Sequence, residues 1–186
     1  MKMKKYIVYS ILGVALCGLI TGCLPEKAET GLTYKGPAVV EVKNQTLGQL
    51  TAQLTARGIY TTTAQTDSSR TVLINSRPTD SILVQLVGPQ SSSPIDINYT
   101  VRGTVPASAP VGTTLAVEGT NYNFRTVGAR KVTFAPNTSQ AYILVDIIPN
   151  SITTVGQQRI LTIDITGNAQ IAPSANYSKF LLMLRR

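Results

Sequence analysis

Ile95-Asp96-Ile97-Asn98-Tyr99-Thr100-Val101-Arg102 is the stretch that decides the fold. Ile95, Ile97, Tyr99 and Val101 alternate with Asp96, Asn98, Thr100 and Arg102. Only an extended strand, whose successive side chains point to opposite faces, puts the first four on one side and the others on the other. One dry face and one wet face is the pattern of an antiparallel sheet covered on one side.

Working outward, similar segments recur. Val39–Val42, Thr71–Ile74 and Ser81–Val87 precede it; Thr114–Glu118, Lys131–Ala135, Ala141–Ile148, Arg159–Thr166 and Ser178–Leu184 follow. Gly, Pro, Asn or Ser occupies nearly every interval, as at Gly88-Pro89, and these residues set up turns. About eight or nine short strands with such punctuation predict an all-β chain of two packed antiparallel sheets, a β-sandwich. One segment departs: Leu47, Leu50 and Leu54 recur at helical spacing, with Gly58 placed as a C-terminal cap. This predicts one short helix near 46–57, although Thr51 and Thr55 also suit a strand. The Thr- and Ser-rich run from Thr61 to Arg70 reads as an exposed loop. No repeat or sharp composition shift divides residues 34–186, so they read as a single domain.

The N-terminus reads as an address. Lys2, Lys4 and Lys5 precede an apolar run from Ile7 to Ile20, which as a helix at ~1.5 Å per residue falls well short of a ~30 Å hydrocarbon core. The run ends in Leu19-Ile20-Thr21-Gly22-Cys23, which resembles the lipobox of a bacterial lipoprotein signal. The resemblance implies cleavage between Gly22 and Cys23 and lipidation of Cys23. Residues 1–22 are then the signal peptide, and the polar, Pro- and Gly-broken residues 23–33 a lipidated tether. Leu24 in place of an acid favours the outer membrane, with the leaflet left open.

Composition removes several function classes. There is no histidine, hence no Ser-His triad and none of the commonest general bases or metal ligands. The only cysteine besides Cys23 is Cys17, inside the leader, so the mature chain has no disulfide and no thiolate metal site. The leader also takes three cations from a formal net charge of +8, and the remaining ones are scattered, with Arg130-Lys131 and Arg185-Arg186 the adjacent pairs. A nucleic-acid partner is not expected, for want of a basic stripe interleaved with aromatics. No nucleophile-elbow, Ser-x-x-Lys, dinucleotide or phosphate-loop motif occurs. The acids are dispersed, so an enzyme is not expected, and no cofactor or metal is.

From Ser81 onward the order of motifs resembles the Calx-beta-like, immunoglobulin-fold sandwich domains of Bacteroidota surface lipoproteins, a group largely of unknown function. The residues that carry it are Asp80 to Pro89, Ile97 to Val101, Glu118-Gly119-Thr120-Asn121-Tyr122-Asn123-Phe124, Val132 to Ser139, Ala141 to Ile148 and Leu161 to Ile165. The resemblance implies an immunoglobulin-like sandwich and a core position for Tyr122. It stops at calcium, because Asn121-Tyr122 and Gly156-Gln157-Gln158-Arg159 stand where calcium-binding Calx-beta domains carry acids.

A binding or accessory module is the function that remains. Sugar rings stack on flat aromatic side chains, and of Tyr60, Tyr99, Tyr122, Tyr142 and Tyr177 the loop-flanking Tyr60 and Tyr177 are the candidate ligand contacts. The glycan is one expected partner, and the membrane, through the lipid, another. Asp80-Ser81-Ile82 looks like an O-glycosylation acceptor at Ser81, and equally like a strand start. The alternative function is a fimbrial or envelope assembly subunit that offers a sheet edge, such as Lys179 to Leu184, to an outer-membrane protein partner.

Overall fold

In β5 (Ile95–Val101), Ile97 and Tyr99 are buried while Asp96, Asn98 and Thr100 are exposed, so the alternation is a strand with one face in the core. The computed structural model describes residues 36–60, 65–126 and 128–186, without the Tyr60 side chain. Gly22, Cys23 and the rest of the leader and tether lie outside the described residues. Before β5 come β1 (Val39–Lys43), α1 (Thr51–Ala56), β2 (Ile59–Tyr60), β3 (Ser69–Leu73) and β4 (Thr79–Val87). After it come β6 (Thr114–Leu115), β7 (Tyr122–Phe124), β8 (Lys131–Phe134), β9 (Gln140–Ile147), β10 (Gln158–Gly167), β11 (Ala172–Pro173) and β12 (Lys179–Arg185).

The strands form two sheets. One has the order β11-β1-β4-β9-β7; the other runs β2-β3-β12-β10-β5-β8, with β6 also on β10. Inward residues of both sheets, among them Val40, Val42, Ile82, Val84, Val145, Ile163, Phe180 and Leu182, fill one core. Fully burying each such side chain is worth roughly 1.5–3 kcal/mol. The fold is therefore an all-β sandwich.

All nine segments read as strands are present, although Thr114–Glu118 shortens to the two residues of β6. β2, β7 and β11 add to them; at two or three residues they are too short for a periodicity and form by pairing with an edge that already exists. Most pairings are antiparallel, and β1/β11, β6/β10 and β3/β12 are parallel.

Three expectations change. α1 is shorter than the leucine spacing implies and buries only Leu54, with Leu47 and Leu50 at 41% and 70% exposure. Asn44 explains this: its Oδ1 accepts the Thr46 N–H at 3.1 Å and the Thr46 hydroxyl, locking a turn where the helix would begin. Gly58, at φ 71°, does follow the helix. Secondly, Ser69 and Arg70 belong to β3, and Arg70 is 1% exposed instead of lying in a surface loop. Thirdly, β12 is no edge: it is bonded on one side to β10 and on the other to β3, because β3 adds in parallel over Leu181 to Arg185. The described edges are β11, β7, β2, β8 and β6, none longer than four residues.

Candidate functional site

β8 borders the seven-stranded sheet, and its alternation turns Lys131 and Thr133 outward while Val132 and Phe134 enter the core. Register pairs Asn98 with Lys131 and Asp96 with Thr133, so four polar side chains share one outer face. Lys131 Nζ donates to Asp96 Oδ2 and Thr133 Oγ1 donates to Asp96 Oδ1, both at 2.6 Å. These two bonds, the Lys131 one first, hold the Asp96 carboxyl below its ordinary pKa.

The turn after β10 completes this face. Asn168 Nδ2 donates to the Asp96 carbonyl at 2.9 Å, while its Oδ1 accepts the N–H groups of Gln170 and Ile171 at 2.9 and 2.7 Å. Gly167 makes the turn feasible at φ 76°: a Cβ there would meet the Ile171 carbonyl oxygen at 2.3 Å. The result is an open groove of about 750 Å³ lined by Pro94, Ile95, Asp96, Asn98, Lys131 and residues 168–171.

Lys131 also borders a second hollow, of about 260 Å³, between β8 and β9. Thr126, Thr133, Tyr142 and Leu144 line it, with Tyr99, Val132 and Ile143 beneath. Tyr142 is 43% exposed, on the outer face of β9. The two hollows thus meet along β8 at Lys131, with a flat aromatic at one end and paired charges and amides at the other.

Tyr99 and Tyr122 are not available as stacking platforms. Each is 2% exposed, and each packs on Phe124 with ring centroids 5.4 Å apart. Burial, the largest influence, raises both phenols and pushes Tyr122 to about 12. Arg130 lies 4.3 Å over the Phe124 ring and pairs with Glu118, closing the cluster.

The residues singled out in the sequence do not converge. Tyr177 is 37% exposed just ahead of β12, its carbonyl accepting the Val42 N–H at 2.8 Å, and it lines none of the described cavities described above. Ser81 lies inside β4, its hydroxyl accepting Gln45 Nε2 at 3.3 Å and its carbonyl accepting Arg70 Nη2 at 2.9 Å. The Asp80 beside it is wholly buried. The Tyr60 side chain lies outside the described residues. Tyr142, which the loop criterion passed over, was legible in Ala141, Ile143, Val145 and Ile147: their alternation leaves Tyr142 on the opposite, outer face.

Six of the seven side-chain carboxylates among the described residues are paired, Asp67 being the exception. Glu41, Asp80, Asp96, Glu118, Asp146 and Asp164 each pair with a Lys or Arg, and among the described residues no three His, Cys, Asp or Glu group as metal ligands. Asp146 accepts from Arg125 at 2.6 Å and from Thr79 at 2.7 Å, and these bonds, Arg125 first, hold it below the ordinary carboxylate pKa.

No family model and no curated protein matches the chain. Solved structures do. A two-domain protein of unknown function from Bacteroides fragilis NCTC 9343 superposes with a TM-score of 0.52 at 10% identity, over 80% of this chain and 45% of that one. A "putative carbohydrate binding protein" from Bacteroides ovatus ATCC 8483 gives 0.46 at 12% identity, over 64% of this chain and 35% of that one. The apo form of the Calx CBD1 domain gives 0.44 at 15% identity, over 63% and 89%. The chain spans less than half the length of the two Bacteroides proteins. At these identities the likeness is one of fold, and the sandwich described above is the architecture this chain shares with the B. fragilis protein over four fifths of its length.

Proposed function

We propose that this chain is a non-catalytic binding module, anchored at the outer membrane through lipidated Cys23, whose groove along β8 takes an uncharged glycan. The observation that carries the reading is Lys131, which borders both hollows while its charge is balanced by Asp96 at 2.6 Å. Such a pair presents donors and acceptors without net charge, which suits hydroxyls better than an ionic ligand. Asn98, Asn168 and Gln170 extend the polar set, and Tyr142 offers a ring face. The sandwich shared with a protein described as carbohydrate binding agrees with this, as an analogy of fold. Assembly through a sheet edge has less support, because the described edges are short.

Residues 36–186 contain the whole described core and serve for the test. Applied to an array of neutral and acidic glycans, they should retain neutral oligosaccharides, and Tyr142→Ala or Lys131→Ala should abolish that retention. Retention that survives both substitutions places the ligand elsewhere; no retention at all sinks the glycan reading. Anchoring is tested separately: Cys23→Ser should move the full chain from the membrane to the soluble fraction.

A further inference from the structure

The outer face of the seven-stranded sheet is dry over β10. Leu161, Ile163 and Ile165 enter the core, so Ile160 and Thr162 point the other way, yet each is 1% exposed. The loop between β5 and β6 crosses this face, bringing Ser108, Ala109 and Pro110 to the same cavity as Ile160. Both ends of the loop are tied to β10: the Arg102 N–H donates to the Thr162 carbonyl at 3.0 Å, and the Ala116 N–H to the Ile160 carbonyl at 2.9 Å. Two turns fix its course between them, where the Ala109 N–H donates to the Pro106 carbonyl and the Thr113 N–H to that of Pro110, at 3.0 and 3.1 Å.

Beyond the loop the face stays open over β12 and β3. Register sets Thr71, Met183 and Ile160 side by side across β3, β12 and β10, with Ser69 and Leu181 in the next row. Arg70 and Val72 are directed between the sheets, so Thr71 takes the outer face. A cavity of about 260 Å³ lies here, with Leu181, Met183 and Ile160 as its floor, loop residues 108–110 on one side and β3 on the other. Thr71 borders it at 2% exposure, and among the described residues its hydroxyl has no hydrogen-bond partner. Withdrawn from bulk water and unpaired with protein, that hydroxyl gains from a polar atom delivered into the cavity. Arg70 is the one charged residue at the cavity, and its guanidinium is turned away to Asp80.

We propose that this cavity binds a medium-chain aliphatic alcohol, its hydrocarbon on Leu181, Met183 and Ile160 and its hydroxyl on Thr71. The volume admits about eight or nine non-hydrogen atoms at ~30 Å³ each, the share of one water in the liquid. The floor is aliphatic, and the unbranched Met183 adapts to a flexible chain. An ionised head is disfavoured because no countercharge reaches the cavity, and a sugar because most of its hydroxyls would meet aliphatic carbon. None of the residues lining the two hollows at β8 borders this cavity, so it does not depend on the glycan reading.

The test titrates residues 36–186 with hexan-1-ol and follows amide chemical shifts by NMR, a dispersed spectrum without ligand first establishing that they fold alone. Detergent is left out, because its chains would compete for the cavity. Saturable shifts are expected at Thr71, Leu181 and Met183. Thr71→Val keeps the branched shape of the side chain and removes the hydroxyl, so it should weaken binding about fivefold, as befits one neutral hydrogen bond, without lowering the melting temperature. Ala109→Leu, on the loop, places three more carbons at the cavity and should also weaken binding. Hexanoate at neutral pH should bind less tightly than the alcohol. Failure of hexan-1-ol to saturate overturns the proposal, as does saturation that neither variant weakens, or equal affinity for hexanoate. Tyr142→Ala should leave alcohol binding unchanged; its loss in that variant would put the alcohol in the β8 groove and overturn the site.

Discussion

Arg70 Nη2 meets Asp80 Oδ2 at 2.6 Å with 1% and 0% of the two side chains exposed, an ion pair that joins the inner face of one sheet to that of the other. Arg70 also donates to the Ser81 carbonyl at 2.9 Å and to Asn44 Oδ1 at 3.3 Å, and its guanidinium lies 5.5 Å over the Phe180 ring. A charge pair in a core costs desolvation, so its net worth to stability is small, but removing one member leaves the other stranded.

Arg70→Met should therefore destabilise the sandwich by about 3–5 kcal/mol, leaving Asp80 with Arg77 alone. Arg70→Met combined with Asp80→Leu should recover part of that loss, because Asp80 is no longer stranded, while Arg77, 13% exposed, then loses its carboxylate and limits the recovery. Urea unfolding of both variants checks this. A double variant less stable than the single one would show that the pair itself contributes the stability.

Gly167→Ala should cost about 1–3 kcal/mol, since φ 76° disfavours any Cβ and the Ile171 carbonyl stands in its way. The same substitution should disturb the Asn168 turn under the groove, so thermal unfolding and glycan retention should fall together. A melting temperature equal to wild type would refute the turn's role.

Acid titration should find Asp96 and Asp146 protonating below the ordinary value of 3.8. With the folded pKa lowered, the stability each carboxylate contributes is complete above that value and is lost as pH falls through the folded pKa. Both lie near the surface, so the effect is small, and carboxyl chemical shifts from NMR are the direct reading. Lys131→Ala should move Asp96 back toward 3.8 while leaving Asp146 in place.

At the alkaline end the sign is reversed. Burial raises Tyr122 to about 12, so stability is intact below pH 10, where the unfolded phenol begins to ionise, and is lost as pH rises through the folded value. Ultraviolet absorbance of tyrosinate should show a late step that Tyr122→Phe removes. An unchanged late step would mean that another phenol carries it.

Tyr142→Ala should leave stability within about 0.5 kcal/mol of wild type, as for exposed positions outside special geometries. Glycan retention should nonetheless disappear. A loss of stability as large as that of a core substitution would make Tyr142 a packing residue instead of a ligand contact.

Local features of the chain were legible from the residues. Ile95 to Arg102 shows its buried and exposed faces because side-chain alternation is a property of a strand alone, whatever it packs on. Leu47, Leu50 and Leu54 misled for the same reason: their spacing is helical, but Asn44 captures Thr46 first, and the helix that follows buries one leucine of the three.

Partnership was not legible. Lys131 lies 35 residues from Asp96 and Asn168 lies 72 from it, yet the three build one groove. Arg70 reads as a surface residue at the end of a polar loop, because a charged side chain is expected in water, and only the docking of two sheets supplies the Asp80 carboxylate that lets both be buried. The strands, the turns and the absent chemistries of histidine and cysteine thus follow from the residues in order. Which charges neutralise one another, where Tyr142 opens to solvent, and why β12 is no edge follow from the sheets closing on each other, because those energies depend on distance through space and not along the chain.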